Sequence, residues 1–276
     1  MLKRIFIILS ISGMIMGQSS FDILNTPTDS RDAALGISLN PTVKATRILT
    51  DPEHRLTFNV WNWVADIQGI YIGLGMQNTH LSLQALHSGE LEYRDEVPTV
   101  DPLSTFEYAL FNIGVSHARQ WNNIYLGLGG EIIYERTLNA SSTGLSMNVD
   151  AAYDLNERLL LSGGLRHWGI SGKLDEENTT LPAEAWIGLD AGMSKFSIFT
   201  EINSGSFPLA VGMSYPILEG FELSAGTQLE FSDPQIKIHP STGFRLALTN
   251  FELGYTIYQL DHNLGPRHYF SLYWAY

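Results

Sequence analysis

Two residues able to do acyl chemistry stand two apart in this chain, in the run His80-Leu81-Ser82. A histidine can take the proton of a serine nucleophile while an acid or amide orients the ring, the arrangement a lipid hydrolase needs. The surrounding pattern argues against it. Leu81, Leu83 and Ala85 share the apolar face of an alternating segment, which leaves His80, Ser82 and Gln84 on the opposite, polar face, away from lipid. The eight histidines are scattered, without a helical His-Glu-x-x-His or paired-ligand spacing, so neither a metal centre nor a cofactor is expected. Gly127-Leu128-Gly129-Gly130 lies within an alternating segment and reads as strand glycines that admit a bulky neighbour, not as a phosphate loop. The chain is not read as an enzyme.

The elements that carry these residues have a period of two. Leu145, Met147, Val149, Ala151 and Tyr153 alternate with Gly144, Ser146, Asn148, Asp150, Ala152 and Asp154, and the stretches Phe207–Tyr215 and Phe221–Phe231 repeat the pattern. Such alternation makes strands with one apolar and one polar face. Segments of about ten residues recur, the length a tilted strand needs to cross a bilayer, whereas sandwich strands run about five or six. About fourteen can be counted, starting near Arg55, Ile67, Leu81, Phe106, Trp121, Ser142, Arg158, Glu184, Lys195, Phe207, Phe221, Ile236, Phe251 and His268. Short links at Asn78, Gln120–Asn123, Asp154–Glu157, Ser194, Pro216–Gly220 and Thr249–Asn250 alternate with a second set. That set is longer at Ser88–Ser104, Glu135–Ser141, Gly169–Ala183 and Asp261–Pro266, and shorter at Asn203–Ser206 and Ser232–Pro234. Tight turns at one end and long loops at the other match the periplasmic and extracellular sides of an all-β, antiparallel outer-membrane barrel.

Both termini agree with that reading. Lys3 and Arg4 precede an apolar run from Ile5 to Ile15, then Gly17, Gln18 and Ser19, the order of a secretory signal peptide. This divides the chain into a signal at 1–17, an N-terminal plug or hatch segment at 18–54 and a barrel at 55–276. The final strand sets Phe270, Leu272, Trp274 and Tyr276 on one face and stops on an aromatic, which an exposed edge in water rarely tolerates. These residues resemble the C-terminal signal read by the β-barrel assembly machinery, and in a closed barrel this strand pairs with the first. Charged residues make up 16% of the chain, against about 25% in soluble proteins, which also favours a membrane setting. The net charge of −13, about −15 once Lys3 and Arg4 leave with the signal, argues against nucleic acid as a partner. Trp61, Trp63, Trp121, Trp168, Trp186 and Trp274 are expected mostly in the interfacial girdle of such a barrel.

The polar face must then line a lumen. By alternation Glu131, Asp150, Asp154, Arg158, Arg166, Glu184, Asp190, Glu201, Glu222, Glu230, Lys237 and Arg245 point inward. Unpaired charges in a confined space are costly, so this mixture of signs implies internal ion pairs and a filled or narrow interior. A general porin needs the wider channel of about sixteen or more strands.

One family combines these features. Arg31-Asp32-Ala33-Ala34-Leu35-Gly36, followed by Asn40-Pro41, resembles the amino-terminal signature of PorV/PorQ-type outer-membrane proteins, relatives of the FadL hydrophobic-transport barrels. Phe58 to Ile67 resembles that family's first hairpin, and Tyr255 through Asp261, Leu264-Gly265, Arg267-His268 and Ser271-Leu272 its last. The resemblance implies a fourteen-stranded barrel. Only Ile37, Ser38 and Leu39 separate the Ala-Leu-Gly and Asn-Pro pieces, where the family has a longer stretch, so the resemblance implies a reduced or differently shaped plug. Family members with type IX secretion roles imply a non-enzymatic barrel that binds secretion-system or secreted proteins at the cell surface. The FadL-like members imply an alternative, passage of hydrophobic small molecules. A conduit needs an apolar pocket with an exit, and a partner-binding barrel needs an exposed patch on its loops.

Deleting Tyr273–Tyr276 is expected to abolish outer-membrane assembly while leaving export intact, because it removes the strand that closes the sheet. Cell fractionation should find the truncated chain in the periplasm or degraded; normal assembly would contradict closure.

Overall fold

Each alternating segment forms one strand. The strands are β1 His54–Asn62, β2 Gln68–Met76, β3 Thr79–His87, β4 Tyr108–Trp121, β5 Ile124–Thr137, β6 Ala140–Asn156 and β7 Leu159–Ser171. They continue as β8 Glu184–Gly192, β9 Ser197–Asn203, β10 Leu209–Leu218, β11 Phe221–Ser232, β12 Gln235–Ala247, β13 Phe251–Gln259 and β14 Pro266–Ala275. The computed structural model describes residues 24, 27–37, 48–49, 54–62, 67–93, 104–137, 140–174, 177–205, 208–232, 235–259 and 265–276. The signal segment, Asn40, Pro41 and Trp63 lie outside the described residues.

Neighbouring strands pair antiparallel in chain order, and β1 also pairs with β14, so the fourteen strands form a closed barrel. The closing ladder joins eight residue pairs, from Arg55 opposite Ala275 to Asn62 opposite His268. It is reinforced at its lower end, where the Tyr276 amide donates to the His54 carbonyl at 3.2 Å and the Arg55 guanidinium lies 4.0 Å over the Tyr273 ring. On the outer face Trp274 stacks on Phe251 with ring centroids 6.0 Å apart.

The two faces separate as the alternation requires. On β4, Phe111, Ile113 and Val115 are exposed while Asn112 and Ser116 are buried; on β6, Leu145, Met147 and Val149 are exposed while Ser146, Asn148 and Asp150 are buried. Polar residues therefore fill the interior and a continuous apolar band covers the outside. Such a surface is unstable against water and suited to hydrocarbon, and a closed sheet is one of the two backbone arrangements hydrocarbon permits.

All six links at one end are turns of a few residues, such as 122–123 and 157–158, whereas at the other end Leu91–Tyr93 pairs with Ser104–Phe106 and Lys173–Leu174 with Glu177–Asn178 outside the barrel sheet. Two expectations need correction. Glu135–Ser141 is not a longer loop: β5 and β6 run on to Thr137 and from Ala140, leaving only 138–139 between them. β4, β5 and β6, at 14, 14 and 17 residues, are consequently the longest strands of the barrel. Trp61 and Trp186, expected in the girdle, are 4% and 2% exposed and face inward. Parity decides their side: Trp61 follows buried Thr57 and Asn59, and Trp186 follows buried Glu184. Trp121, Trp168 and Trp274 do lie on the outer surface.

Arginine placed at outward-facing Val149, Val211 or Leu223 should cost about 2–4 kcal/mol near the middle of a bilayer. Equilibrium unfolding in lipid vesicles measures this directly, and wild-type stability in all three variants would contradict the placement.

Candidate functional site in the barrel lumen

Inside the barrel lies a short helix, α1, Ser30–Leu35. Asp29 caps its start, its carboxylate accepting the Asp32 amide at 2.8 Å, and Gly36 ends it in the left-handed conformation at φ 69°. From there the amides of Gly36 and Ile37 return to the carbonyls of Ala33 and Asp32. Six residues are too few to hold a helix in isolation, so its stability comes from the wall.

The wall is shaped to receive it. Helix α1 packs on β10 to β14, where inward glycines clear a channel. A β-carbon on Gly212 or Gly226 would overlap the Leu35 backbone, one on Gly243 would stand 3.0 Å from the Ala34 methyl, and one on Gly254 would overlap the Ser30 hydroxyl. Three wall hydroxyls then bind the helix main chain. Ser271 accepts the Ser30 amide at 2.9 Å, Thr256 donates to the Ser30 carbonyl at 2.6 Å, and Ser241 donates to the Ala34 carbonyl at 3.0 Å.

Apolar contacts extend the path in both directions. Leu24 packs with Leu86, Leu110, Ile133 and Leu181 toward the loop end, Ala33 sits among Trp61, Tyr71, Tyr258 and Tyr269, and Leu35 and Ile37 meet Trp186 and Phe199. Ile48 and Leu49 reach Ala118 and Tyr125 at the turn end. The described pieces of the N-terminal segment thus follow the lumen from loop end to turn end. Of the signature residues, Asp32, Ala34, Leu35 and Gly36 are buried in this seat and Arg31 is half-buried.

The opposite wall holds charge. Arg166 on β7 pairs with Glu184 on β8 through two nitrogens, Nε at 2.7 Å, and its Nη1 reaches Glu201 on β9 at 3.5 Å. Asn203 also donates to Glu201, at 3.3 Å. Next to Arg166, the His167 ring lies 3.1 Å from Glu131 on β5, which accepts Ser146 on β6 at 2.9 Å. A β-bulge brings both side chains inside: Arg166 and His167 stand opposite the single residue Asn148, with His167 at φ 53° and its amide donating to the Asn148 side-chain Oδ1 at 2.8 Å. A positive φ on histidine is uncommon, and here the side-chain bond from Asn148 holds it.

Other expected lumen charges divide. Asp150 is buried inside, and Asp190 is half-buried near the turn end. Glu230 meets Lys237 at 3.3 Å and His239 at 3.2 Å; Arg245 meets Glu222 at 3.4 Å and Glu252 at 3.2 Å; Asp154 accepts Tyr125 at 2.8 Å. Arg158 departs from expectation. It is exposed in the β6–β7 turn, where its amide donates to the Asn156 side chain at 2.9 Å and the strand has not yet begun. His80 and Ser82 face the lumen, His80 stacked 6.4 Å from the Tyr71 ring. Phe270, Trp274 and Tyr276 are exposed on the outer face and Leu272, between them, is half-buried.

The chain lacks cysteine, so Ser30→Cys, nearly isosteric and buried, makes a single reporter of the helix seat. Adding Gly212→Ala and Gly226→Ala should cost the seat about 1–3 kcal/mol of overpacking and raise thiol labelling about five- to a hundredfold, with the barrel still assembled. Unchanged labelling would mean the glycines do not set the fit.

No family model matches the chain, and no curated protein sequence matches it. Solved structures do. The toluene transporter TodX of Pseudomonas putida superposes with a TM-score of 0.68 at 10% identity, covering 92% of this chain and 99% of that one. The monoaromatic hydrocarbon channel CymD gives 0.61 at 12% identity over 95% and 98%, and the Ralstonia pickettii toluene transporter TbuX gives 0.59 at 8% over 92% and 99%. These similar structures are transporters and channels. At such identities the likeness is one of fold, and the fold is that of the hydrocarbon-transport barrels.

Proposed function

We propose that this chain is a non-enzymatic outer-membrane conduit for small hydrophobic molecules, with the segment around α1 as its internal plug. The fold shared with three hydrocarbon channels over more than nine-tenths of the chain carries the proposal. The lumen supports it chemically. At the loop end, Leu86, Leu110, Ile133 and Leu181, flanked by Ile67 and Tyr108, form an apolar lining that Leu24 of the N-terminal segment covers, and the aromatic cluster of Trp61, Tyr71, Tyr258 and Tyr269 around Ala33 continues it inward. Burying an apolar solute there returns about 25 cal/mol for each Å² taken from water.

Membrane lipid and, during insertion, the β-barrel assembly machinery are the partners this reading needs. The protein-secretion reading rests on the short sequence signature, and the described signature residues lie in the lumen rather than on the loops where a protein could reach them. The conduit is therefore the better supported of the two.

Proteoliposomes bearing the mature chain should take up labelled toluene faster than empty vesicles, and deletion of 21–50 should keep the barrel closed but raise its conductance to small hydrophilic solutes. Uptake no faster than through lipid alone would refute the conduit; unchanged conductance after the deletion would refute the plug.

A further inference from the structure

One row of the lumen wall is built differently from the rest. Asn59 on β1 stands opposite Tyr71 on β2, Tyr71 opposite Gln84 on β3, and Gln84 opposite Asn112 on β4. All four face inward, and Asn59, Gln84 and Asn112 are only 1%, 2% and 2% exposed. Both polar atoms of Asn59, both of Gln84 and the carbonyl oxygen of Asn112 have no hydrogen-bonding partner among the described residues. A buried amide atom left unpaired costs about 1–3 kcal/mol. Elsewhere in the lumen single atoms such as Glu201 Oε2, Glu222 Oε1 and Asn148 Nδ2 also lack partners, but those residues are bonded through their other polar atom, whereas Asn59 and Gln84 are open at both. Asn59 on one side of Tyr71, and the neighbouring pair Gln84 and Asn112 on the other, together leave five amide atoms open in one row.

The neighbouring layers say what kind of ligand they suit. Two residues toward the loop end lie Trp61, Leu86 and Leu110, and Ile133 continues the row beyond Asn112. Two residues toward the turn end lie Thr57, Gly73, Ser82 and Gly114, all small. An apolar body held in the upper layer would bring a polar head to the amides. The row itself has no formal charge and ends on Ser271 at one side and Ile133 at the other. Glu131, opposite Gly114 one layer down, adds negative potential. A carboxylate would lose its hydration there without a cation, whereas a hydroxyl, ketone or amide exchanges one hydrogen bond for another.

We infer that Asn59, Gln84 and Asn112 form a subsite for the neutral hydrogen-bonding head of an otherwise apolar permeant, such as a phenol or alcohol. This rests on the conduit reading and narrows its substrate class from bare hydrocarbons to neutral oxygenated ones.

The test compares ethylbenzene, 4-ethylphenol and 4-ethylbenzoate, three probes of one skeleton, by equilibrium binding to the mature barrel in nanodiscs and by uptake into proteoliposomes. After correction for partition into empty nanodiscs, 4-ethylphenol should bind about tenfold more tightly than ethylbenzene, a difference of about 1.4 kcal/mol, and 4-ethylbenzoate no more tightly than ethylbenzene. Gln84→Leu with Asn112→Leu should bring the phenol preference to within about twofold of unity while keeping ethylbenzene binding; Asn59→Leu alone provides a milder variant should the pair fail to fold. Equal binding of phenol and hydrocarbon by the wild type, with both taken up, overturns the subsite and leaves the conduit standing. A phenol preference that survives the substitutions overturns the assignment to this row. Failure of the wild type to bind or pass any probe overturns the conduit and the subsite together.

Discussion

The ladder between β1 and β14 is the constraint on which everything else depends. A sheet whose outside is apolar cannot leave an edge of unpaired amides beside hydrocarbon, so the last strand must find the first. Closure fixes the parity of each strand at once, because a slip by one residue would turn a whole strand inside out. With the outer face given to leucine, isoleucine, valine and aromatics, all remaining polarity is forced into the lumen. The interior is where the sequence has freedom, and where its chemistry must be found.

That interior is divided by sector. Strands β10 to β14 present glycines and hydroxyls and hold α1; β5 to β9 present carboxylates around Arg166 and His167; β1 to β4 present carboxamides and small residues. The magnitudes differ. Removing Arg166 would break its buried pairs with Glu184 and Glu201, about 3–5 kcal/mol for a broken buried pair, whereas each neutral hydroxyl bond to α1 contributes about 0.5–1.5 kcal/mol. The charged sector is therefore the rigid brace of the barrel, and the helix is the more weakly attached part. This ordering suits a lumen that must hold its shape while its contents change.

Much of this was legible in sequence, for reasons that differ by element. The strand starts fell within a few residues of their positions because a two-faced wall writes a period of two. Ring chemistry points Trp61 and Trp186 to the girdle, but parity overrides it: Thr57, Asn59 and Trp61 share one face, and that face is the lumen. Alternation puts Arg158 on a strand face, but Asn156, a turn-forming residue, precedes it and its side chain takes the Arg158 amide into the turn. The bulge at Arg166–His167 leaves a trace in the spacing: outward Leu165 and Trp168 are three apart, one more than an unbroken strand allows. The seat of α1 left almost none, since glycine has no side chain with which to mark a face, and the hydroxyls of Ser241, Thr256 and Ser271 look like ordinary lumen residues.

The wall's hydroxyl groups grip α1 by its backbone amide and carbonyls. A receptor that reads main chain is indifferent to which residues carry it, provided they are small enough to enter, as Ala33 and Ala34 are. The wall has no such latitude, because a single methyl at Gly226 would occupy the space of the Leu35 backbone. Sequence drift in barrels built this way should accordingly run fast in the guest and slow in its socket. A search keyed to the helix motif would miss distant kin, while one keyed to inward glycines on four successive strands would still find them.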